Sequence, residues 1–153
     1  MNESLKLVDE VRFTIIAQKL KLIGGAIAGG LVMIFLAGLF VAESNVNKDL
    51  AMLNLISVIV CPILCISSVY IRKARLKKIN RENFKQLYTG VYILAFAMCD
   101  LGGIFCVTTN LFINYNLIYA VFGLLVTILY IFINFPKAND LSNINNYSKV
   151  VPE

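Results

Sequence analysis

The sequence predicts an all-α integral membrane protein, an up-down-up-down bundle of four transmembrane helices within residues 22–135. The chain of 153 residues is 59% hydrophobic and only 15% charged, whereas soluble domains are about 45–50% apolar and about 25% charged. Its apolar residues also gather into four stretches of the length, about 20 residues, that a helix needs to cross a bilayer. The four stretches are Leu22–Ala42, Leu50–Ile71, Leu87–Thr109 and Tyr115–Phe135.

The first 21 residues are predicted to form an amphipathic helical segment. Apolar residues such as Leu5, Val8 and Ile15 recur there at helical spacing between charged residues. This segment either lies on the inner leaflet or extends span one into the cytoplasm. No cleavage pattern of small residues follows span one, so we expect that span to be retained rather than removed as a signal peptide.

The connections between the spans are short, so consecutive spans are expected to run antiparallel. Glu43–Asp49 and Asn110–Asn114 are predicted to be loops on one side, and Asn80–Asn83 to be the turn on the other. Pro136 is expected to stop span four, because proline lacks the N–H that continues a helix. The polar tail, residues 136–153, shows no hydrophobic period and is predicted to be loosely ordered.

The distribution of Lys and Arg predicts the orientation of the bundle. The N-terminal segment carries four of these residues, the segment between spans two and three carries seven and the tail carries two, whereas the opposite loops carry Lys48 alone. Short loops rich in Lys and Arg stay in the cytoplasm. Both termini and the central loop are therefore predicted to be cytoplasmic, with the cell membrane, a bacterial inner membrane, as the expected location.

A basic cluster directly follows span two. We expect it to contact the anionic lipid headgroups of the inner leaflet, which attract Lys and Arg close to the surface. No pattern of base-stacking aromatic residues accompanies the cluster, which argues against nucleic-acid binding. The residues predicted to contact headgroups are Arg72, Lys73, Arg75, Lys77 and Lys78.

Helices in lipid associate where small residues allow close approach and where polar groups find partners. Span two has a polar stripe at spacings of three and four, formed by Asn54, Ser57, Cys61, Cys65 and Ser68. Glycines in the other spans are predicted to pack helices together, within the chain or against a second copy: Gly25, Gly29, Gly30, Gly102, Gly103 and Gly123. Pro62, inside span two, is expected to kink the helix for packing. Alternatively, it acts as a hinge or frees a backbone carbonyl that binds a cation.

Asp100 is the one charged residue within the four stretches. An Asp near the centre of a membrane helix costs about 3 kcal/mol on the insertion scale, so it marks a candidate functional site. Antiparallel packing is expected to bring Ser57 and Thr127 to a similar depth, which makes these three residues the candidate ion- or proton-binding site. The carboxyl group either fixes helix pairing through a hydrogen bond, binds H⁺ or Na⁺, or pairs with a cation of a partner subunit.

No catalytic constellation is visible in the sequence. The chain has no histidine, and its four cysteines lie inside predicted spans without a Cys-x-x-Cys pair, so we expect them to act as small buried hydrophobes. We expect no metal, no cofactor and no enzymatic activity. The leading hypothesis is a membrane protein that acts through helix packing, as an oligomer or an accessory subunit of a membrane complex. The alternative is a proton- or cation-coupled transporter or channel that uses Asp100.

Two segments resemble a broad class of uncharacterised bacterial four-span proteins. One is the acidic residue followed by small residues, Cys99-Asp100-Leu101-Gly102-Gly103, after a basic central loop. The other is the aromatic, proline and basic end of the last span, Phe135-Pro136-Lys137. The class favours Glu at the position of Asp100. The resemblance implies a fold and a location in the membrane, and it implies no activity.

Overall fold

The computed structural model describes residues 2–42, 50–79, 84–113, 115–137 and 140, with the backbone alone at residues 2–10, 12 and 84. This part of the chain forms four α-helices. Their bounds are α1, Asn2–Val41; α2, Ala51–Leu76; α3, Phe84–Phe112; and α4, Leu117–Ile133. The predicted loops Glu43–Asp49 and Asn80–Asn83 and most of the tail lie outside the described residues.

The helix α1 is continuous from Asn2 to Val41, so the predicted amphipathic segment and span one belong to one element. At about 1.5 Å per residue, its 40 residues extend for about 60 Å, well beyond the thickness of a bilayer core. Of the two expectations for the N-terminal segment, this geometry agrees with an extension of span one. The helix α2 likewise continues through Pro62.

A tight turn joins α3 to α4. The Asn116 N–H donates to the Asn110 carbonyl at 2.7 Å, which closes the turn. Tyr115 takes a left-handed backbone conformation there, with φ 49°, and such positions reverse a chain within few residues. The side chain of Asn116 then caps α4, because its Oδ1 accepts from the Tyr119 N–H at 3.3 Å.

The helices run up, down, up and down, as the sequence predicted. Ser57 near the start of α2 contacts Asn110 near the end of α3, so these two helices are antiparallel. Tyr88 packs on Phe13 near the start of α1, and Leu111 lies over Gly38 near its end. The helices α1 and α3 are therefore parallel.

The helix α3 lies at the centre of the bundle and packs against α1, α2 and α4. The helix α4 also contacts all three other helices, whereas α1 and α2 lie on opposite sides of the α3–α4 pair and make little contact with each other. The helices α1 and α2 thus follow each other in the sequence but do not pack closely together. The polar groups that α2 buries consequently find their partners in other helices on α3 or α4.

The distribution of apolar side chains is the reverse of that in a soluble protein. Phe40, Ile118 and Leu22 are 90%, 79% and 76% exposed, whereas many polar side chains are completely buried. Three segments are long and apolar enough to cross a membrane: Phe13–Val41, Ala51–Leu76 and Lys85–Phe112. The fourth helix, Leu117–Ile133, is apolar but has 17 residues, the lower end of the range for a membrane-spanning helix.

Candidate functional site

The most unusual feature of the interior is a column of buried polar side chains along one face of α2. We call this the polar column. Its members recur every three or four residues, the spacing that keeps side chains on one side of a helix. They are Asn54, Ser57, Cys61, Cys65, Ser68 and Arg72, each at most 5% exposed. The stripe predicted for span two is therefore confirmed as buried, and Arg72 extends it by one turn.

Two hydrogen-bonded groups connect the polar column to the other helices. The first, which we call the Asn110 unit, consists of Ser57, Cys106 and Asn110. The Asn110 side-chain Nδ2 donates to Ser57 Oγ at 2.9 Å and to the Cys106 carbonyl at 2.8 Å, and it lies 3.6 Å from Cys106 Sγ. Ser57 Oγ in turn donates to the Asn54 carbonyl at 2.8 Å. These contacts connect α2 to α3 through neutral polar groups.

The second group, the Asn134 unit, consists of Ser68, Cys99 and Asn134 and repeats this arrangement. Asn134 Nδ2 donates to Ser68 Oγ at 2.7 Å and lies 3.5 Å from Cys99 Sγ. Ser68 Oγ donates to the Cys65 carbonyl at 2.6 Å and lies 3.2 Å from Cys99 Sγ. Each unit thus combines one Asn, one Ser and one Cys, and the Asn134 unit joins α4 to α2 and α3.

Cys61 and Cys65 lie between the two units and, with Cys106 and Cys99 of the units themselves, form an array of four thiols. Cys61 lies within hydrogen-bonding reach of Cys106 and of Cys65, and Cys65 lies within reach of Cys99. The thiols therefore follow one another in the order Cys106, Cys61, Cys65, Cys99 along the bundle axis. All four are free and completely buried. Thr127 on α4 joins this array, with its Oγ1 3.5 Å from Cys61 Sγ.

A buried cation ends the polar column. Arg72 is 5% exposed, and its Nη1 donates to the Ile133 carbonyl at 3.1 Å, at the C-terminal end of α4 where the helix dipole is negative. Its guanidinium also lies 5.7 Å from the centre of the Tyr92 ring. The prediction that Arg72 contacts lipid headgroups is wrong, because the side chain turns into the bundle. Lys73, Arg75, Lys77 and Lys78 are exposed, and headgroup contact stays a prediction for them.

Asp140, which follows α4 in the chain, contacts the same end of the bundle as Arg72. Its Oδ2 accepts hydrogen bonds from Tyr92 Oη at 2.5 Å and from the Lys137 N–H at 2.8 Å. Sequence reasoning missed this contact because it treated the tail as loosely ordered. A possible signal was the spacing of Asp140 after Pro136, since Asp often accepts from a backbone N–H in such turns.

Asp100, the predicted centre of an ion site, lies apart from the polar column. It is half-buried on the side of α3 near α1, between Phe96, which packs on Gly24, and Gly103, which packs on Leu31. No hydrogen bond or ion pair joins it to any residue that the structure describes. Ser57 and Thr127 are bonded within the column instead, so the three residues do not form one cluster. An ion-binding role for Asp100 stays a prediction.

The predicted packing glycines fall into two groups. Gly102, Gly103 and Gly123 lie in close helix contacts: a Cβ on Gly102 would lie 3.2 Å from the Cys61 carbonyl oxygen. Gly25, Gly29 and Gly30 are exposed and have nothing within 4 Å of the Cβ position. They do not pack against another helix in the part of the chain that the structure describes. Packing of these three glycines against a second copy of the chain or another subunit stays a prediction.

Among residues 2–42, 50–79, 84–113, 115–137 and 140, no three His, Cys, Asp or Glu side chains converge to hold a metal ion. The chain matches no protein-family model, no curated protein and no solved structure. The resemblance to bacterial four-span proteins therefore stays a prediction, and any function has to be argued from the contacts above.

Proposed function

We propose that the protein is a non-enzymatic integral membrane protein that acts through helix packing, as an oligomer or as an accessory subunit of a membrane complex. One observation supports this most directly: the uncovered glycine face of α1. Gly25 and Gly29 lie four residues apart, and both face open space between Leu22 and Met33, which are 76% and 66% exposed. Small residues at this spacing let two membrane helices approach closely.

The proposed location is the cell membrane, with all four helices crossing it and both termini in the cytoplasm. The exposed apolar surface supports insertion, and the distribution of thirteen Lys and Arg residues against one supports this orientation. We expect a cysteine at position 78 (Lys78→Cys) to react with an impermeant maleimide from the cytoplasmic side alone. Lys48→Cys should react from the opposite side alone, with the buried native thiols giving little background. Labelling of both positions from one side would contradict the topology.

Substitution of both uncovered glycines tests the proposed association. Gly25→Leu with Gly29→Leu is expected to weaken association at least tenfold, since two bulky side chains prevent close helix approach. Energy transfer between labelled copies in vesicles, followed as lipid is added, measures the oligomer. Co-purification from native membranes measures an accessory subunit.

Gly90→Leu provides the matched control, because Gly90 is also exposed with nothing within 4 Å of its Cβ position. It should leave both readouts unchanged. If the double variant associates as well as the native protein in both experiments, the uncovered face of α1 is only a lipid contact and the proposed function is wrong.

A second candidate function is proton- or cation-coupled transport through Asp100, and the observation that favours it is that this carboxyl group has no hydrogen-bond or ion-pair partner among the described residues. The stretch of α1 from Gly24 to Val41 contains no side chain that can donate a hydrogen bond to it. We expect Asp100→Asn to abolish H⁺ or Na⁺ flux into liposomes if the carboxyl group carries the ion. Equal flux through native protein and variant would reject this candidate.

A further inference from the structure

We propose that the thiol array, Cys106, Cys61, Cys65 and Cys99, is a binding site for soft metal ions that accept two sulfur ligands, Cu(I) above all. The proposal goes beyond the helix-packing function and does not depend on it. Soft thiolate ligands favour Cu(I), Zn²⁺ and iron–sulfur clusters over the other biological metals. All four cysteines of the chain belong to this one array, although they come from two helices and are separated by up to 45 residues (106 − 61).

The array contains two pairs of thiols that face each other across the contact between α2 and α3. Cys61 and Cys106 both lie against Gly123, with Cys61 Sγ 3.9 Å from its carbonyl oxygen and Cys106 Sγ 2.5 Å from its Cβ position. Ser68 Oγ likewise contacts both the Cys65 carbonyl, at 2.6 Å, and Cys99 Sγ, at 3.2 Å. Each pair thus brings one thiol of α2 close to one thiol of α3, and two thiolates are the number of ligands that a two-coordinate ion requires. Since no three ligands converge among the described residues, the site does not suit Zn²⁺, which takes four ligands in a tetrahedron.

Hydrogen bonds to sulfur support the same conclusion. The amide of Asn110 lies 3.6 Å from Cys106 Sγ, and that of Asn134 lies 3.5 Å from Cys99 Sγ. An N–H directed at a thiolate stabilises its negative charge, and such outer contacts tune metal ligands. The Oδ1 atoms of Asn110 and Asn134 are buried without a hydrogen-bond partner among the described residues.

A positive side chain near the thiol array also supports Cu(I) binding. Each Cu(I) ion displaces one proton from each of two thiols, so the bound complex carries one net negative charge and two protons are released. Arg72 lies one turn beyond Ser68 on α2 and is buried, and its Nε has no hydrogen-bond partner among the described residues. This guanidinium supplies one positive charge at the end of the polar column, which offsets the charge of one of the two complexes, the nearer one at Cys65 and Cys99.

The test is an anaerobic Cu(I) titration of the full-length protein in lipid nanodiscs, in competition with a chromogenic Cu(I) chelator. The native protein is expected to bind two ions, with charge-transfer absorption in the ultraviolet and release of two protons for each ion. Cys61→Ser with Cys106→Ser should bind one ion, as should Cys65→Ser with Cys99→Ser. Replacement of all four cysteines should abolish binding.

A variant that keeps all four sulfurs separates metal binding from folding. Asn134→Leu is expected to weaken Cu(I) binding about tenfold or more, in line with the loss of an outer contact to a metal ligand, while circular dichroism reports a helical fold. The proposal is overturned if the native protein fails to compete with the chelator, or if the serine variants bind as the native protein does. It is also overturned if thiol titration of the unfolded native protein shows disulfides, or if Zn²⁺ binds with equal affinity.

Discussion

Alanine at position 96 is expected to lower the free energy of unfolding by about 3 kcal/mol, near the low end of the range for Phe→Ala in protein cores. Phe96 is completely buried and lies where three helices meet. Its ring packs on Gly24 of α1 and forms an edge-to-face pair with Phe135, with centroids 6.2 Å apart. Tyr92 contacts it from the preceding turn, with centroids 6.3 Å apart.

The expected cost arises mainly from the cavity. In a membrane, a side chain released from the bundle enters lipid rather than water, so the hydrophobic transfer term largely cancels. The lost dispersion contacts around an empty ring-sized space do not cancel, which is why we place the effect at the low end. Reversible unfolding of the purified protein in mixed micelles, by titration with a denaturing detergent, measures it.

Phe40→Ala is the matched control for Phe96→Ala, since Phe40 is 90% exposed on α1. The same chemical change there removes contacts with lipid alone and is expected to shift the free energy of unfolding by less than about 0.5 kcal/mol. Equal effects at positions 96 and 40 would mean that α1 does not pack on α3 as the structure places it.

The buried faces of the helices were predictable from sequence because membrane helices sort polar and small residues toward protein and large apolar residues toward lipid. The spacing of Asn54, Ser57, Cys61, Cys65 and Ser68 identified the buried face of α2 correctly. The polar residues Thr127 and Asn134 of the last span follow the same rule, and both are completely buried. These predictions needed helical periodicity and no knowledge of which helices touch.

Predictions that depended on which helices touch were less successful. Depth along the membrane normal suggested that Asp100 meets Ser57 and Thr127, but depth does not determine the rotation of a helix about its axis. Ser57 belongs to the Asn110 unit and Thr127 contacts Cys61, whereas Asp100 lies toward α1. Likewise, the number of exposed glycines on α1 could not be known until the face of α1 that packs on α3 was known.

Arg72 shows why composition alone misplaces a residue. Six further Lys and Arg residues follow it before span three, and as a group they indicate orientation and contact with headgroups. Its position on the face of the polar column, four residues after Ser68, separates it from the group. A helical projection that included this basic residue would have placed it inside the bundle, where Ile133 and Tyr92 contact it.

Addition of one methyl group at Gly123 is expected to destabilise the bundle by about 1–3 kcal/mol, the usual cost of overpacking a core. A Cβ at Gly123 would lie 2.5 Å from Cys106 Sγ and 2.8 Å from Cys106 Cβ, distances that require α3 and α4 to separate. Cys106 cannot move aside freely, because its thiol lies 3.6 Å from the Tyr119 carbonyl and its own carbonyl accepts from Asn110. Gly123→Ala should therefore also weaken the Asn110 unit.

Gly25→Ala makes the same chemical change on a helix where the Cβ position has nothing within 4 Å. Alanine favours the helix over glycine by up to about 1 kcal/mol, so this control is expected to be neutral or slightly stabilising in the monomer. Detergent-induced unfolding at a protein concentration that excludes association compares the two variants directly. A Gly123→Ala variant as stable as Gly25→Ala would show that α3 and α4 lie farther apart than the structure places them, and the hydrogen bonds of the polar column would have to be reassigned.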